Sequence, residues 1–370
     1  MRVDGVNVFG PVAVASGLGT AVRAHVRALW RAGVRTKIFP IVFSAKQGSQ
    51  PFSSPPESGF FDISIVYANP EATDFVHSMF GAEIRRSRYR VGVWVWEMPA
   101  AREEHIPFTR LYDEIWVPSA FDRRAFAAIT KTPVHVVPYP VELAPPSGFD
   151  HRTAFDIGSK PFIFLYMMDA MSYLSRKNPQ ALLRAFKNAF PEDLSAFLIL
   201  KVSNLDERSE FGRQLADIER NTPNLRAIRH TLGEADLSAL LHCADCYVSP
   251  HRTEGFGLPI AEAMAAGKPV IATDFGGTRD FLSESTGYPV PFKLVELDTD
   301  IGPYPAGAVW AEPAEEALIR IMRAVAKRPV ENLHRADAAR KLIADSFSIA
   351  RVAEVIAERL AKAQARLRGN

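Results

Sequence analysis

The chain reads as an α/β protein with two doubly wound parallel sheets in series. Three observations predict this. Short runs of β-branched and aromatic residues alternate with segments of helical period, the pattern of strands joined by crossover helices. A mid-chain stretch with five prolines and two glycines, PYPVELAPPSGFDHRTAFDIGSKP, separates one such series from another. The length of 370 residues suits two domains that each bury their own core.

In the first series, strands are expected at Val3–Phe9, Thr36–Val42, Asp62–Tyr67, Tyr89–Trp94, Glu114–Pro118 and Val134–Val137. Helices are expected at Leu18–Ala32, Glu71–Phe80, Glu103–Tyr112 and Phe121–Ile129. The Ser/Pro/Gly-rich stretch from Gly48 to Gly59 reads as a mobile loop. Residues 138–161 read as an interdomain linker. The second series has strands Phe162–Met167, Ala196–Val202, Leu225–Arg229, Cys246–Ser249 and Pro269–Thr273. Between them lie helical segments Pro179–Phe190, Glu207–Glu219 and Ala235–Cys243, then a helix opened by the loop that follows Ser249. The alanine-rich stretch Val330–Arg368 is helical. Two such sheets in series predict an interdomain cleft, and ligands in open α/β sheets bind outside the carboxyl ends of the strands.

Apolar content of 47% and charged content of 23% describe a soluble globular chain without a disorder signature. The net charge of +2 gives no reason to expect a nucleic-acid partner. Arg85, Arg86, Arg88 and Arg90, and then Arg123 and Arg124, form local basic clusters. These read as solvated faces or as a peripheral contact with anionic membrane head groups. No apolar run approaches the roughly 20 residues that span a bilayer. The start, MRVDGVNVFG, reads as a strand without a signal-peptide core, so a cytoplasmic location is expected. Cys243 and Cys246 form a CxxC with only His242 and His251 near, and read as two small buried thiols in place of a zinc or redox site.

The most informative stretch is SPHRTEGFGLPIAEAMAAGKPVIATDFGG, residues 249 to 277. Glu254 and Glu262 have seven residues between them, the first in a glycine-broken loop and the second within the helix that follows. Pro259 suits a first helical turn and Gly267 the position just past the end, with Ile260, Ala263 and Met264 facing the core. Gly255 and Gly257 let backbone approach a ligand closely, and a helix start of this kind favours a phosphate-bearing ligand. Glu254 beside that anion could hold sugar hydroxyls, and Glu262, one turn into the helix, a ribose. The loop looks built for a nucleotide sugar.

EGFGLPIAEAMAAGKPVIAT resembles the signature of retaining glycosyltransferases of family 4, which have the GT-B fold. The resemblance extends over most of the chain, strongly in the second half and weakly in the first. It implies a GT-B architecture. Residues 1–143 would form an acceptor-binding Rossmann-like domain and 144–346 a nucleotide-sugar-binding one, with 347–370 forming a helix that crosses back onto the first. Glu254 would contact the donor sugar and Glu262 the ribose, with the amides of Phe256, Gly257 and Leu258 along sugar and diphosphate. Gly17 and Gly19, in the turn SGLGT, match a glycine-rich loop that faces the donor diphosphate or the acceptor. Arg176 and Lys177, in SYLSRKNP with Ser172 at its start, match the cations that neutralise a diphosphate leaving group. Many members place the Arg earlier, where this chain has Met168 or Asp169. Thr231 and Leu232 lie where the family packs its base. His251 reads either as a donor contact or as an ordinary half-buried histidine.

The first half departs from the family. A histidine that many members carry after the fourth strand is replaced in VGVWVWEMP by Trp96, Glu97 and Met98. Glu97 could fill that polar role or simply cap a helix. WVWE, DEIWVPS and GAVWAEP resemble a subgroup that builds bacterial surface polysaccharides, where mannose or rhamnose is a frequent donor sugar. The implied activity is metal-independent, cofactor-free, retaining hexosyl transfer from a nucleotide-diphosphate sugar such as GDP-mannose to a glycan or lipid-linked acceptor. The other readings are a different GT-B sugar-nucleotide enzyme, such as a phosphorylase or epimerase, and a non-catalytic GT-B scaffold or sugar sensor.

Overall fold

A computed structural model describes residues 3–43, 49–159, 161–191 and 193–369. The chain divides into two compact units, residues 1–142 with 345–370, and residues 143–344.

The first unit carries β1 (Gly5–Gly10), β2 (Arg35–Pro40), β3 (Ile63–Tyr67), β4 (Tyr89–Val93), β5 (Glu114–Val117) and β6 (Val134–Val136). Helices α1 (Gly17–Arg31), α2 (Pro70–Arg86), α3 (Ile106–Thr109) and α4 (Ala120–Ala127) connect them. The strands pair in the order β2-β1-β3-β4-β5-β6, all parallel. Strands β1, β3 and β5 are buried along their whole length, which is why they read as near-continuous apolar runs. The sheet reverses its winding between β1 and β3, so the loops leaving these strands flank a crevice at their carboxyl ends.

The second unit carries α5 (His151–Ala154), β7 (Phe162–Asp169), α6 (Leu174–Lys177), α7 (Pro179–Ala189), β8 (Ala196–Ser203), α8 (Glu210–Arg220), β9 (Leu225–Ile228), α9 (Glu234–Cys243) and β10 (Cys246–Ser249). It continues with α10 (Leu258–Ala265), β11 (Val270–Thr273), β12 (Tyr288–Val290), β13 (Phe292–Glu296), β14 (Val309–Pro313), α11 (Glu315–Lys327) and α12 (Pro329–Phe347). Its parallel sheet runs β12-β11-β10-β7-β8-β9, and β13 and β14 form an antiparallel hairpin. The winding reverses between β7 and β10. The loops leaving those two strands are the ones that carry Arg176, Lys177 and Glu254.

The last helix, α13 (Ile349–Gly369), belongs to the first unit. Val352, Ile356, Leu360, Ala363 and Leu367 recur at helical spacing and bury against the β1–β3 core and α1. A buried carboxylate secures it. Glu114 accepts from Trp116 Nε1 at 2.6 Å and Tyr89 Oη at 3.1 Å, and pairs with the Arg359 guanidinium of α13. Arg366 donates to Tyr89 Oη at 3.0 Å.

Several expectations need correction. The described part of the Gly48–Gly59 stretch is a docked loop. Gln50 N donates to Ala13 O at 2.9 Å, and Phe52 stacks on Trp30; Gly48 lies outside the described residues. The expected helix at Glu103–Tyr112 is a 3-10 turn, Glu103–His105, followed by four α-helical residues. The expected linker 138–161 contains α5, and Ser147 N donates to Ala235 O at 3.0 Å, so its second half is part of the second unit. Cys246 is buried, whereas Cys243 is only half-buried.

Candidate functional site

The loop leaving β7 is shaped to present cations. Asp169 ends the strand and accepts from Met171 N at 2.9 Å, and Asn204 Nδ2 donates to both of its carboxylate oxygens at 3.0 Å. Tyr173 then adopts φ +60°, and its carbonyl accepts from Arg176 N at 3.0 Å and Lys177 N at 3.2 Å. Those bonds wind the single turn of α6. Asn178, at φ +55°, ends it and Pro179 opens α7.

The loop leaving β10 meets this turn. Glu254, only 8% exposed, accepts from Arg176 Nη1 at 3.0 Å and from Lys177 Nζ at 2.5 Å. Arg176 Nη1 also donates to Thr253 O at 3.1 Å. Burial alone would raise the Glu254 carboxyl, but Lys177 and then Arg176 outweigh it and hold it at about 2. It is therefore a carboxylate at neutral pH, able to accept hydrogen bonds from hydroxyl groups. Two cations on one anion leave the cluster net positive, beside the N-terminus of α10.

That N-terminus depends on glycine. Gly257 takes φ +88° immediately before α10, and a Cβ there would lie 2.6 Å from Thr278 Cγ2. Pro259 occupies the first turn and Ile260, Ala263 and Met264 are buried. Phe256 is buried against Phe281, and Leu258 is also buried. Thus the side chains of these residues are committed to packing and not to a ligand. Gly276 and Gly277, after β11, press directly on the loop: Gly277 N donates to Glu254 O at 2.7 Å, and a Cβ on Gly277 would lie 1.8 Å from Gly255 O.

Of the two readings of His251, its surroundings favour the structural one, with the ring more deeply buried than expected. It is fully buried, with Nδ1 against Ser249 Oγ and Nε2 against Phe275 O, both at 3.1 Å. Burial lowers its pKa, so it holds the loop from beneath as a neutral ring. Glu262 is half-buried in α10. Burial and then Glu234 push its carboxyl up to about 8. Because Glu234 opens α9 just after Thr231 and Leu232, Glu262 and that loop share one neighbourhood. Thr231 is exposed, and Leu232 and Ser172 are half-buried.

In the first unit, Ser16 caps α1 by accepting from Gly19 N at 3.1 Å. A Cβ on Gly19 would lie 2.1 Å from Val14 O, so Gly19 is required for close packing, and its amide is already bonded. Gly17 is open to solvent. Of the three residues offered after β4, Trp96 and Met98 are buried and only Glu97 reaches the surface. Its segment is fixed on both sides: Val95 N donates to Asn69 Oδ1 at 2.9 Å and Trp96 N to Asp122 Oδ2 at 3.4 Å. Among the described residues no group of three or more His, Cys, Asp or Glu could hold a metal ion. No helix among them is long and apolar enough to cross a membrane.

Residues 164–297 match the family model described as Glycosyl transferases group 1. The switch-point loops of the second unit fall inside that span. A lipopolysaccharide core biosynthesis mannosyltransferase, LpsB, of Rhizobium meliloti is 52% identical over 46 residues, 12% of this chain and 13% of that protein. A glycogen synthase of Mycobacterium tuberculosis is 45% identical over 65 residues, 17% of this chain and 16% of that protein. The chain therefore covers less than a fifth of either relative. Solved structures match far more of it. Anabaena HepE in complex with UDP and glucose superposes with a TM-score of 0.70 at 15% identity, over 97% of this chain and 100% of that one. Sucrose-phosphate synthase from Thermosynechococcus elongatus gives 0.71 at 16%, over 98% and 100%. At such identities the likeness concerns the fold, and that fold is GT-B. The sequence resemblance is narrower than expected, since the family model starts only at residue 164.

Proposed function

We propose that the protein is a glycosyltransferase that takes a hexose from a nucleotide-diphosphate sugar. The observation that carries this reading is the Arg176–Glu254–Lys177 cluster at the carboxyl ends of β7 and β10, beside the amino end of α10. HepE, which shares the fold, was solved with UDP and glucose and with UDP-glucose.

In this reading Arg176 and Lys177 grip the diphosphate together with the amides of Phe256, Gly257 and Leu258. Glu254 accepts from hexose hydroxyls and so fixes the ring relative to the leaving group. Glu262 takes the ribose diol, and Thr231 and Leu232 border the base. Transfer proceeds with retention. The bond from the anomeric carbon to the phosphate oxygen breaks with its electron pair going to the diphosphate, and the acceptor oxygen bonds to the same face. The acceptor proton passes to the departing phosphate oxygen. Catalysis then rests on placement and on stabilising charge at the diphosphate, the work that a metal performs elsewhere. The first unit supplies the acceptor side, with Glu97 as its polar group. A mannose or rhamnose donor such as GDP-mannose, a glycan or lipid-linked acceptor, a surface-polysaccharide product and peripheral membrane contact form the finer proposal. The short stretch shared with LpsB supports the choice of sugar.

A scaffold or sensor would bind without turnover. Release of nucleoside diphosphate from a panel of donor sugars, with and without chelator, separates the two. Lys177→Ala is expected to lower turnover about a hundredfold. Unchanged turnover would remove Lys177 from the scheme, and no release from any donor would favour the scaffold.

A further inference from the structure

Tyr173 stands out in the backbone. At φ +60° and ψ 102° it lies outside the regions that L-residues occupy readily, and it is 40% exposed. Such a conformation persists only where the surroundings over-determine it. Its carbonyl accepts the two bonds that begin α6, from Arg176 N and Lys177 N, so the strain lies at the origin of the turn that carries both cations.

The restraint comes from the β13–β14 hairpin. At the hairpin tip, residues 297–308, Tyr304 is 2% exposed and packs edge-on against the Tyr173 ring, with centroids 5.6 Å apart at 70°. Gly302, at φ +56°, has no Cβ because the Tyr173 ring fills that space; a Cβ would lie 2.1 Å from Tyr173 Cε1. The tip is itself tied. Ile301 and Tyr304 exchange backbone hydrogen bonds of 2.8 and 3.0 Å, and Ala306 N donates to Asp300 Oδ1 at 2.8 Å.

The base of the hairpin reaches the same turn through Arg252. Ala311 N donates to Arg252 O at 3.0 Å, and Arg252 Nε donates to Glu312 Oε2 at 2.6 Å. Arg252 Nη1 then donates to Ser175 O at 2.6 Å, and its backbone N to Arg176 O at 2.8 Å. One two-stranded element thus grips residues 173–176 from both ends. The tip beyond residue 297 and β14 lie outside the segment that matches the family model.

We infer that the β13–β14 hairpin is a brace, with Tyr304 and Gly302 as positioning residues that hold strained Tyr173 and thereby aim Arg176 and Lys177 at a diphosphate. The inference rests on the proposed reading of that pair as the diphosphate grip.

The test compares a nucleoside diphosphate with its parent nucleoside, UDP with uridine and GDP with guanosine, by titration calorimetry. A general structural defect would weaken both ligands, whereas misaimed cations weaken only the phosphorylated one. Gly302→Ala and Tyr304→Ala are each expected to lower diphosphate affinity about tenfold and to leave nucleoside affinity unchanged. Tyr304→Phe, which keeps the ring, should stay within about twofold of the parent protein. Should either large change prevent folding, Tyr173→Gly decides: it removes the ring that the tip holds and leaves the backbone at 173 free to depart from φ +60°, so it is expected to fold while losing the diphosphate preference. Lys177→Ala separates the brace from the grip. If it abolishes the preference while Gly302→Ala, Tyr304→Ala and Tyr173→Gly retain it, the brace is overturned and the grip stands. If Lys177→Ala leaves the preference intact, or the parent protein binds neither diphosphate, the grip itself fails and the brace falls with it.

Discussion

Replacing Glu254 by Gln isolates the electrostatics of the candidate site. The side chain keeps its shape and loses its charge, leaving Arg176 and Lys177 buried against a neutral amide. The carboxyl is held at about 2 against an ordinary 4.5, with burial opposed and outweighed by Lys177 and Arg176. At about 1.4 kcal/mol per pKa unit this corresponds to about 3 kcal/mol of native stability. That agrees with the ~3–5 kcal/mol typical of breaking a buried ion pair from one side. The sign follows from the depressed pKa. The contribution is complete above pH 4.5 and disappears as pH falls through about 2. Urea unfolding of the second unit at pH 7 should therefore place Glu254→Gln about 3 kcal/mol below the parent protein. The difference should close between pH 4.5 and 2 as the parent protein loses its advantage. A loss below about 1 kcal/mol at pH 7, or a difference independent of pH, would mean that Arg176 and Lys177 do not hold Glu254 as a carboxylate.

Three further outcomes are expected. Glu262 has a raised folded pKa, so its contribution is intact below pH 4.5 and lost as pH rises through about 8. Glu262→Gln should raise the melting temperature at pH 8.5, leave it unchanged at pH 4, and weaken nucleotide binding at both. Gly277→Ala puts a methyl group 1.8 Å from Gly255 O; thermal unfolding should show a loss of about 1–3 kcal/mol, and donor binding should fail with it. Glu114→Ala leaves Arg359 without its buried carboxylate. It should cost the first unit about 3–5 kcal/mol and make α13 the first segment cut in limited proteolysis.

Much of this was legible in the residues because the physics is local. Strands β3, β5, β8 and β10 lie inside the sheets and show as short apolar runs. The signature loop is legible because Gly257, Pro259 and Gly267 each need a particular backbone geometry. What escaped is non-local or weakly patterned. Strand β12 is three residues long with Pro289 inside it, and β13 is mostly solvent-facing, so neither carries an apolar run. Helix α11 did carry a readable stripe in Ala317, Leu318, Met322 and Val325. The importance of Gly276 and Gly277 lies in contacts with residues some twenty positions earlier, and no spacing rule predicts such an approach. Arg252, two residues before Glu254, carries no signal of its own in the sequence. Its partners, Ser175 and Arg176 in one stretch and Glu312 in another, lie some 60 to 77 positions away in sequence. Gly19 and His251 were ambiguous in the sequence because glycine and histidine serve both packing and chemistry; their packing and hydrogen bonds appear only in the fold.

A crystal structure with bound nucleotide sugar would show directly what the Arg176–Glu254–Lys177 cluster holds. Phosphate oxygens are expected within hydrogen-bonding distance of Lys177 Nζ and the Arg176 guanidinium, with a hexose hydroxyl on the Glu254 carboxylate. A donor bound elsewhere, with the Arg176–Glu254–Lys177 cluster untouched, would contradict it.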